Sequence, residues 1–218
     1  MKKIIKTITI ITITILLILI IYILYYLNII PHKYYTNEYF NIKTYISSKD
    51  LDNDTIDDQT DILESVKEYI KTNPKYKSKY YGTGYPNDNY GVCTDVVAFG
   101  LKNAGYDIMY LLNEDVKLNK DKYDIDIIDK NIDFRRVNNL KVYFDNNAIS
   151  LTTNIYDISS WQGGDIIVFK RHIGIISDKR NKNGIPFLIH HANKYQINYE
   201  EDVLEYMKDN IIGHYRIS

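Results

Sequence analysis

The chain has a single cysteine, Cys93 in "NYGVCTDVVAFG", and five histidines, His32, His172, His190, His191 and His214. A thiol becomes a nucleophile when a base takes its proton, and imidazole is the side chain that does this near neutral pH. A third polar group must then hold the base in one orientation. Cys93 as nucleophile, His172 as base, and His190 or His191 as the orienting group are the residues on offer. The chemistry they would support is attack of sulfur on an acyl carbon. The rival use of the same residues is a zinc site. No paired spacing such as Cys-x-x-Cys or His-Glu-x-x-His is present, so no metal and no cofactor are expected.

These residues need elements to place them. "TDVVAFGLKNAG" sets Val97, Ala98 and Leu101 on one helical face and stops at Gly105. Cys93 therefore stands at or just before a helix start, which Thr94 or Asp95 can cap. The helix dipole and free N–H groups favour an anion there, so the thiol pKa is expected to fall. Downstream, "WQGGDIIVFK", "HIGIISDK", "PFLIHHAN" and "IIGHYRI" read as four strands. Asn183-Gly184 signals a hairpin between the second and third. One helix bearing the thiol followed by an antiparallel meander gives an α+β domain. His172 opens its strand, with Gly174 close behind, where substrate or another backbone can approach.

The hairpin loop decides which adjacent histidine meets His172, because side chains alternate between the two faces of a sheet. A two-residue turn puts His191 on the face of His172. A loop with an odd number of residues puts His190 there. The connection "SDKRNKNGIP" looks longer than a minimal turn, and both registers stay open on this ground alone.

The N-terminus bounds the setting. Lys2, Lys3 and Lys6 precede 24 uncharged residues from Thr7 to Ile30, enough for a helix to cross about 30 Å of hydrocarbon. The threonines at 7, 9, 12 and 14 fit by bonding to carbonyls one turn back. No small-residue cleavage site closes the stretch, so an uncleaved signal anchor over residues 1–30 is expected. The basic residues place the N-terminus in the cytoplasm, the bilayer contacts residues 7–30, and the rest lies outside. Residues 31–58 are polar without a sustained period and read as a juxtamembrane stalk. "DILESVKEYIKTNP" then puts Ile62, Leu63, Val66, Tyr69 and Ile70 at helical spacing, with Asp61 and Glu64 as a capping box, so residues 59–218 are expected to form the chemical domain. A net charge of −1 gives no basic footprint, and no nucleic-acid partner is expected.

"GVCTDV", "GDIIVF", "HIGIIS", "IHH" and "GHYRI", in that order, resemble the NlpC-type cysteine peptidases of bacterial cell walls. With "NIDFRRVNNL" between the cysteine and His172, the chain is most similar to a branch of unknown function in that papain-like superfamily, over about residues 60 to 218. The resemblance implies a papain-like, NlpC-like fold with the cysteine starting a helix packed on an antiparallel sheet. It implies Cys93 as nucleophile, His172 as general base and His190 as the orienting residue, with no cofactor. It also implies a cysteine amidohydrolase or endopeptidase acting on peptide amides, with peptidoglycan stem peptides within reach of a tethered, exported domain. Val92-Cys93-Thr94 stands where better-known members have Asp-Cys-Ser. Tyr85 or Tyr90 would add a second oxyanion donor beside the Cys93 N–H.

Other uses of these residues were weighed. An acyltransferase or transpeptidase would share the Cys-His site, and a wall-binding module would keep the fold without chemistry. Cys93 has a structural alternative as a buried small residue, and His172 as a satisfied core histidine. Arg135 and Arg136 suit a substrate carboxylate or, more simply, local ion pairs and solvent. Asp165 reads as a turn residue and His214 as part of a structural cluster with Tyr215 and Arg216.

Overall fold

The computed structural model describes residues 2–217 and divides into two units, Met1–Lys33 and Tyr34–Ser218. In the first, α1 (Lys2–Tyr26) is a single helix, long and apolar enough to cross a membrane. Thr7, Thr9, Thr12 and Thr14 each donate their hydroxyl to the carbonyl four residues back, at 3.0–3.1 Å. Their polar groups are thus satisfied within the helix, as a lipid environment requires.

The second unit is a mixed α/β domain. In chain order it holds α2 (Asp58–Lys71), β1 (Lys75–Tyr76), β2 (Tyr90–Gly91), α3 (Cys93–Asn103), α4 (Ile108–Leu118), α5 (Lys130–Asp133) and α6 (Val137–Asn147). These are followed by β3 (Ile149–Ser150), β4 (Ile166–Phe169), β5 (His172–Arg180), β6 (Pro186–Ile189), β7 (Glu200–Glu201), α7 (Leu204–Met207) and β8 (Ile211–Arg216). Six strands form one antiparallel sheet in the order β3-β8-β4-β5-β6-β7.

Strand alternation divides the core. Ile166, Val168, Ile173, Ile175 and Ile189 pack with Ile62, Val66, Val97, Leu101 and Phe134 from the helical side. Ile167, Phe169, Ile176 and Leu188 turn the other way, onto Trp161, Ile155 and Leu204. Both faces are covered, so β4 reads as a continuous apolar run rather than an alternating one. Helices α2 and α3 pack closely because Gly100 has no side chain: a Cβ there would come within 3.2 Å of Val66.

Three sequence expectations are revised. Helix α2 begins at Asp58, and its cap is Asp57, whose carboxylate accepts from the Thr60 N–H; Asp61 lies inside the helix. Most of the expected stalk is part of the domain. Tyr35 exchanges backbone hydrogen bonds with Arg180 at 2.8 Å in each direction, and buried Asn37 bridges Gln162 and Arg180. Ser47 and Leu51 N–H groups donate to Asp57 and Asp58. These partners lie up to 145 residues away in sequence, so no local period announces them. Asp165 is fully buried rather than a plain turn residue. It accepts from Gln59, His214 and both forks of Arg216, while His214 stacks flat on Trp161 at 3.7 Å. The structural reading of His214 stands.

Candidate active site

Cys93 is the first residue of α3, with Val92 in extended backbone before it. The N-terminal turn is fixed by Asp95, whose Oδ2 accepts from the Val92 N–H at 2.8 Å. Asp95 is itself held by Arg135, which donates Nε to Oδ1 at 2.6 Å and Nη2 to Oδ2 at 2.8 Å. Both side chains are buried, and Arg135 Nη1 donates to the Lys79 carbonyl. The "DFRR" arginine thus serves the nucleophile's helix through an internal ion pair, and no substrate clamp is left to it. Arg136 is exposed.

Cys93 is half-buried as a residue and free of any disulfide. It meets the sheet at Ile173, the residue after His172. Burial pushes the Cys93 thiol up to about 11, while the backbone groups of Ile173, Thr94 and Cys93 itself act the other way without prevailing. The expectation of a lowered thiol pKa at a helix start is therefore corrected. The helix-end effect is real, but desolvation of the thiolate outweighs it here.

His172 begins β5, and burial, with His190 and His191 nearby, pushes its imidazole down to about 3. Burial disfavours the charged form of both groups, the Cys93 thiol and the His172 imidazole. Opposed residues on β5 and β6 pair as Ile175 with Ile189 and Ile176 with Leu188, an even pairing. The loop between Arg180 and Pro186 has five residues, with Gly184 at φ +81°. This resolves the register in favour of His190. Nε2 of His172 lies 2.8 Å from Nδ1 of His190. Gly174 makes the approach possible, since a Cβ there would sit 2.7 Å from the Ile189 carbonyl and 3.2 Å from the His190 Cβ.

The relay continues beyond the residues singled out from sequence. Nε2 of His190 lies 2.9 Å from Oε2 of Glu201. Glu201 is on β7, two residues along from Tyr199, whose carbonyl accepts from the His190 N–H. Its neighbour Glu200 points to the opposite face, where it takes Ser177 and Lys179. Gln196 steadies the pair, donating to Glu201 Oε2 at 3.0 Å and to the His190 carbonyl at 3.2 Å. Its own Oε1 accepts from the Ala192 N–H. The sequence signal for Glu201 was thin: two adjacent glutamates after a polar stretch, on a two-residue strand.

Proton directions follow from chemistry. A carboxylate only accepts, so His190 presents Nε2–H to Glu201 and turns Nδ1 to His172. In the tautomer where that Nδ1 accepts, His172 presents Nε2–H to it and its own Nδ1 is left bare. A bare Nδ1 is the state of a base ready to take a thiol proton. The other residues stand apart from this relay. His191 is buried between Tyr76 and Tyr199. The Tyr85 hydroxyl donates to Asp107 at 2.8 Å and is occupied away from the site, which removes it as an oxyanion donor. Among the described residues, Asp50, Asp52 and Asp54 form a carboxylate group compact enough to share a cation, on an exposed loop far in sequence from the relay.

A family model described as "Domain of unknown function (DUF1287)" matches residues 63–217. The chain is 32% identical over 168 residues to "Uncharacterized protein YijF" of Escherichia coli (strain K12), covering 71% of this chain and 80% of that one. No solved structure matches the chain.

Proposed function

The chain belongs to the DUF1287 family, and we propose that it is a thiol-dependent amidohydrolase of papain-like, NlpC-like type. The observation that carries this reading is the relay Glu201–His190–His172, whose last member is next in the chain to Ile173, the residue whose backbone meets the Cys93 thiol.

In the proposed reaction an amide carbonyl enters next to Cys93. The sulfur proton passes to Nδ1 of His172 as sulfur bonds to the carbonyl carbon, so the thiolate is formed only as it is consumed. The Cys93 N–H, at the open first turn of α3, faces the developing oxyanion. Collapse breaks the C–N bond, and the amine leaves with the proton held on His172. Water then attacks the thioester, His172 again taking and returning a proton, and a carboxylic acid departs from restored Cys93. Through each cycle His190 accepts the hydrogen bond from His172, and Glu201 accepts the one from His190, which together stabilise the imidazolium form of His172.

The substrate proposed is peptide amides of the bacterial wall, peptidoglycan stem peptides in particular. Support comes from the motif resemblance and from α1, which fits a membrane anchor that would hold the domain outside the cytoplasm. The test is release of peptides or new amino termini from purified peptidoglycan by the full chain in detergent. The wild-type chain should release them and a Cys93→Ala chain should not. Equal release by both would overturn the proposal.

A further inference from the structure

A groove of about 420 Å3 runs beside the relay. One wall is β1 and β2, where Lys75 pairs with Tyr90 three residues before Cys93. The other is the turn after His190, with His191, Lys194 and Gln196. Lys75 and Lys194 are its charged residues, and no Asp or Glu lines it. Among the described residues neither lysine has an ion-pair partner, and Lys194 rests over the Tyr195 ring at 4.9 Å.

A second observation points to a ligand. His191 is 1% exposed, and its Nδ1 has no hydrogen-bond partner. Leaving a buried ring nitrogen unmatched is unfavourable, because its hydrogen bond to water is lost and not replaced. His191 packs against the rings of Tyr76 and Tyr199, each close to perpendicular to it, with centroids 5.2 and 4.9 Å away. The histidine is thus a polar atom kept ready on the wall of a cationic groove.

We propose that this groove binds an acidic peptide, its carboxylate set between Lys75 and Lys194 and its body against the tyrosine rings. The inference rests on the hydrolase reading of the adjoining relay and deepens it. The groove starts on the strand that leads into the nucleophile and on the residue after the orienting histidine. A peptide anchored there by its negative charge has its next amide toward α3. The carboxylate has two sources, an acidic side chain or the free C-terminus, and both suit the same lysines.

The test uses the full chain in detergent with Cys93→Ala, so that binding is read without turnover. Three probes are titrated calorimetrically at low salt: acetyl-Ala-Glu-Ala-Ala-amide, acetyl-Ala-Gln-Ala-Ala with a free C-terminus, and the neutral acetyl-Ala-Gln-Ala-Ala-amide. At least one carboxylate-bearing peptide should bind about tenfold more tightly than the neutral one, the scale of two solvent-facing ion pairs. Which of the two binds tells side chain from C-terminus. Adding Lys75→Gln and Lys194→Gln should bring all three within about twofold, and Lys75→Glu with Lys194→Glu should reverse the order, with unchanged melting temperatures as the folding control. The proposal is overturned if the three peptides bind alike, if none binds, or if the preference survives loss of both lysines. A wild-type chain that releases no peptide would end the hydrolase reading while leaving the preference intact, so the two failures are separable.

Discussion

Nε2 of His172 and Nδ1 of His190 stand 2.8 Å apart across the β5–β6 ladder, and the far nitrogen of His190 faces Glu201 at 2.9 Å. Two imidazoles in contact have no preferred proton order of their own. The carboxylate supplies one by accepting from Nε2–H of His190.

Replacing Glu201 by Gln keeps the shape but lets the amide donate to His190, which reverses the relay and protonates His172 on the wrong nitrogen. The expected result is a fall in kcat of about 10²–10⁴-fold, the scale of a misassigned tautomer, with KM nearly unchanged. Steady-state kinetics on a peptidoglycan peptide measure this. A purely structural Glu201 would instead lower the melting temperature and leave kcat per folded molecule intact.

The raised pKa of Cys93 has a signature in thiol chemistry. Because burial holds Cys93 at about 11, alkylation by iodoacetamide should be slower than for free cysteine at pH 7 and should rise through pH 9 and beyond. A rate already at its plateau below pH 7 would mean a preformed thiolate–imidazolium pair.

Stability should fall on acidification. His172 is held near 3 and His191 near 4, against an ordinary value of 6.5, both chiefly by burial. The unfolded chain therefore binds more protons between those values, and the stability that both groups contribute above about pH 6.5 is lost as pH drops toward 3. Urea denaturation at pH 7 and pH 4.5 should show a smaller loss for His172→Asn than for the wild-type chain. An equal loss would mean His172 is not the buried group responsible.

The Arg135–Asp95 pair should dominate the local stability of the nucleophile's helix. Arg135→Met leaves a buried carboxylate alone and should cost about 3–5 kcal/mol. Adding Asp95→Asn should recover part of it, because the uncompensated charge goes with it. Thermal or chemical denaturation of the single and double variants decides. Additive losses would contradict the pairing.

Gly174→Ala tests the close approach that lets the histidines meet. The added methyl would sit 2.7 Å from the Ile189 carbonyl, a misfit worth about 1–3 kcal/mol. Activity should fall further than stability, since the same shift parts His172 from His190. A folded variant with wild-type kcat would show that their contact is not required.

Much of this site was legible in the chain, and the parts that were not share a cause. The helix starting at Cys93 and the strand opening at His172 are local patterns, and both stand where periodicity puts them. Parity tied the choice between His190 and His191 to the loop length, which the sequence left open, and the five-residue loop puts His190 on the face of His172. Glu201 and Gln196 were out of reach because a two-residue strand and an irregular turn leave no period to read. The segment 34–58 misled for the same reason: its order comes from Asn37, Gln162 and Arg180, distant in sequence and joined only in the fold. The thiol pKa was misjudged because sequence displays a helix end but not the packing that buries it.

The central claim is that Cys93 carries the acyl group. Acid quenching of the full chain during turnover of a peptidoglycan peptide, followed by mass spectrometry of the Cys93-containing fragment, tests it directly. The account predicts a mass increment equal to the acyl portion of the substrate on Cys93, accumulating in pre-steady state and absent from Cys93→Ala. Peptide release that continues at the wild-type rate in Cys93→Ala, with no adduct on any fragment, would contradict it.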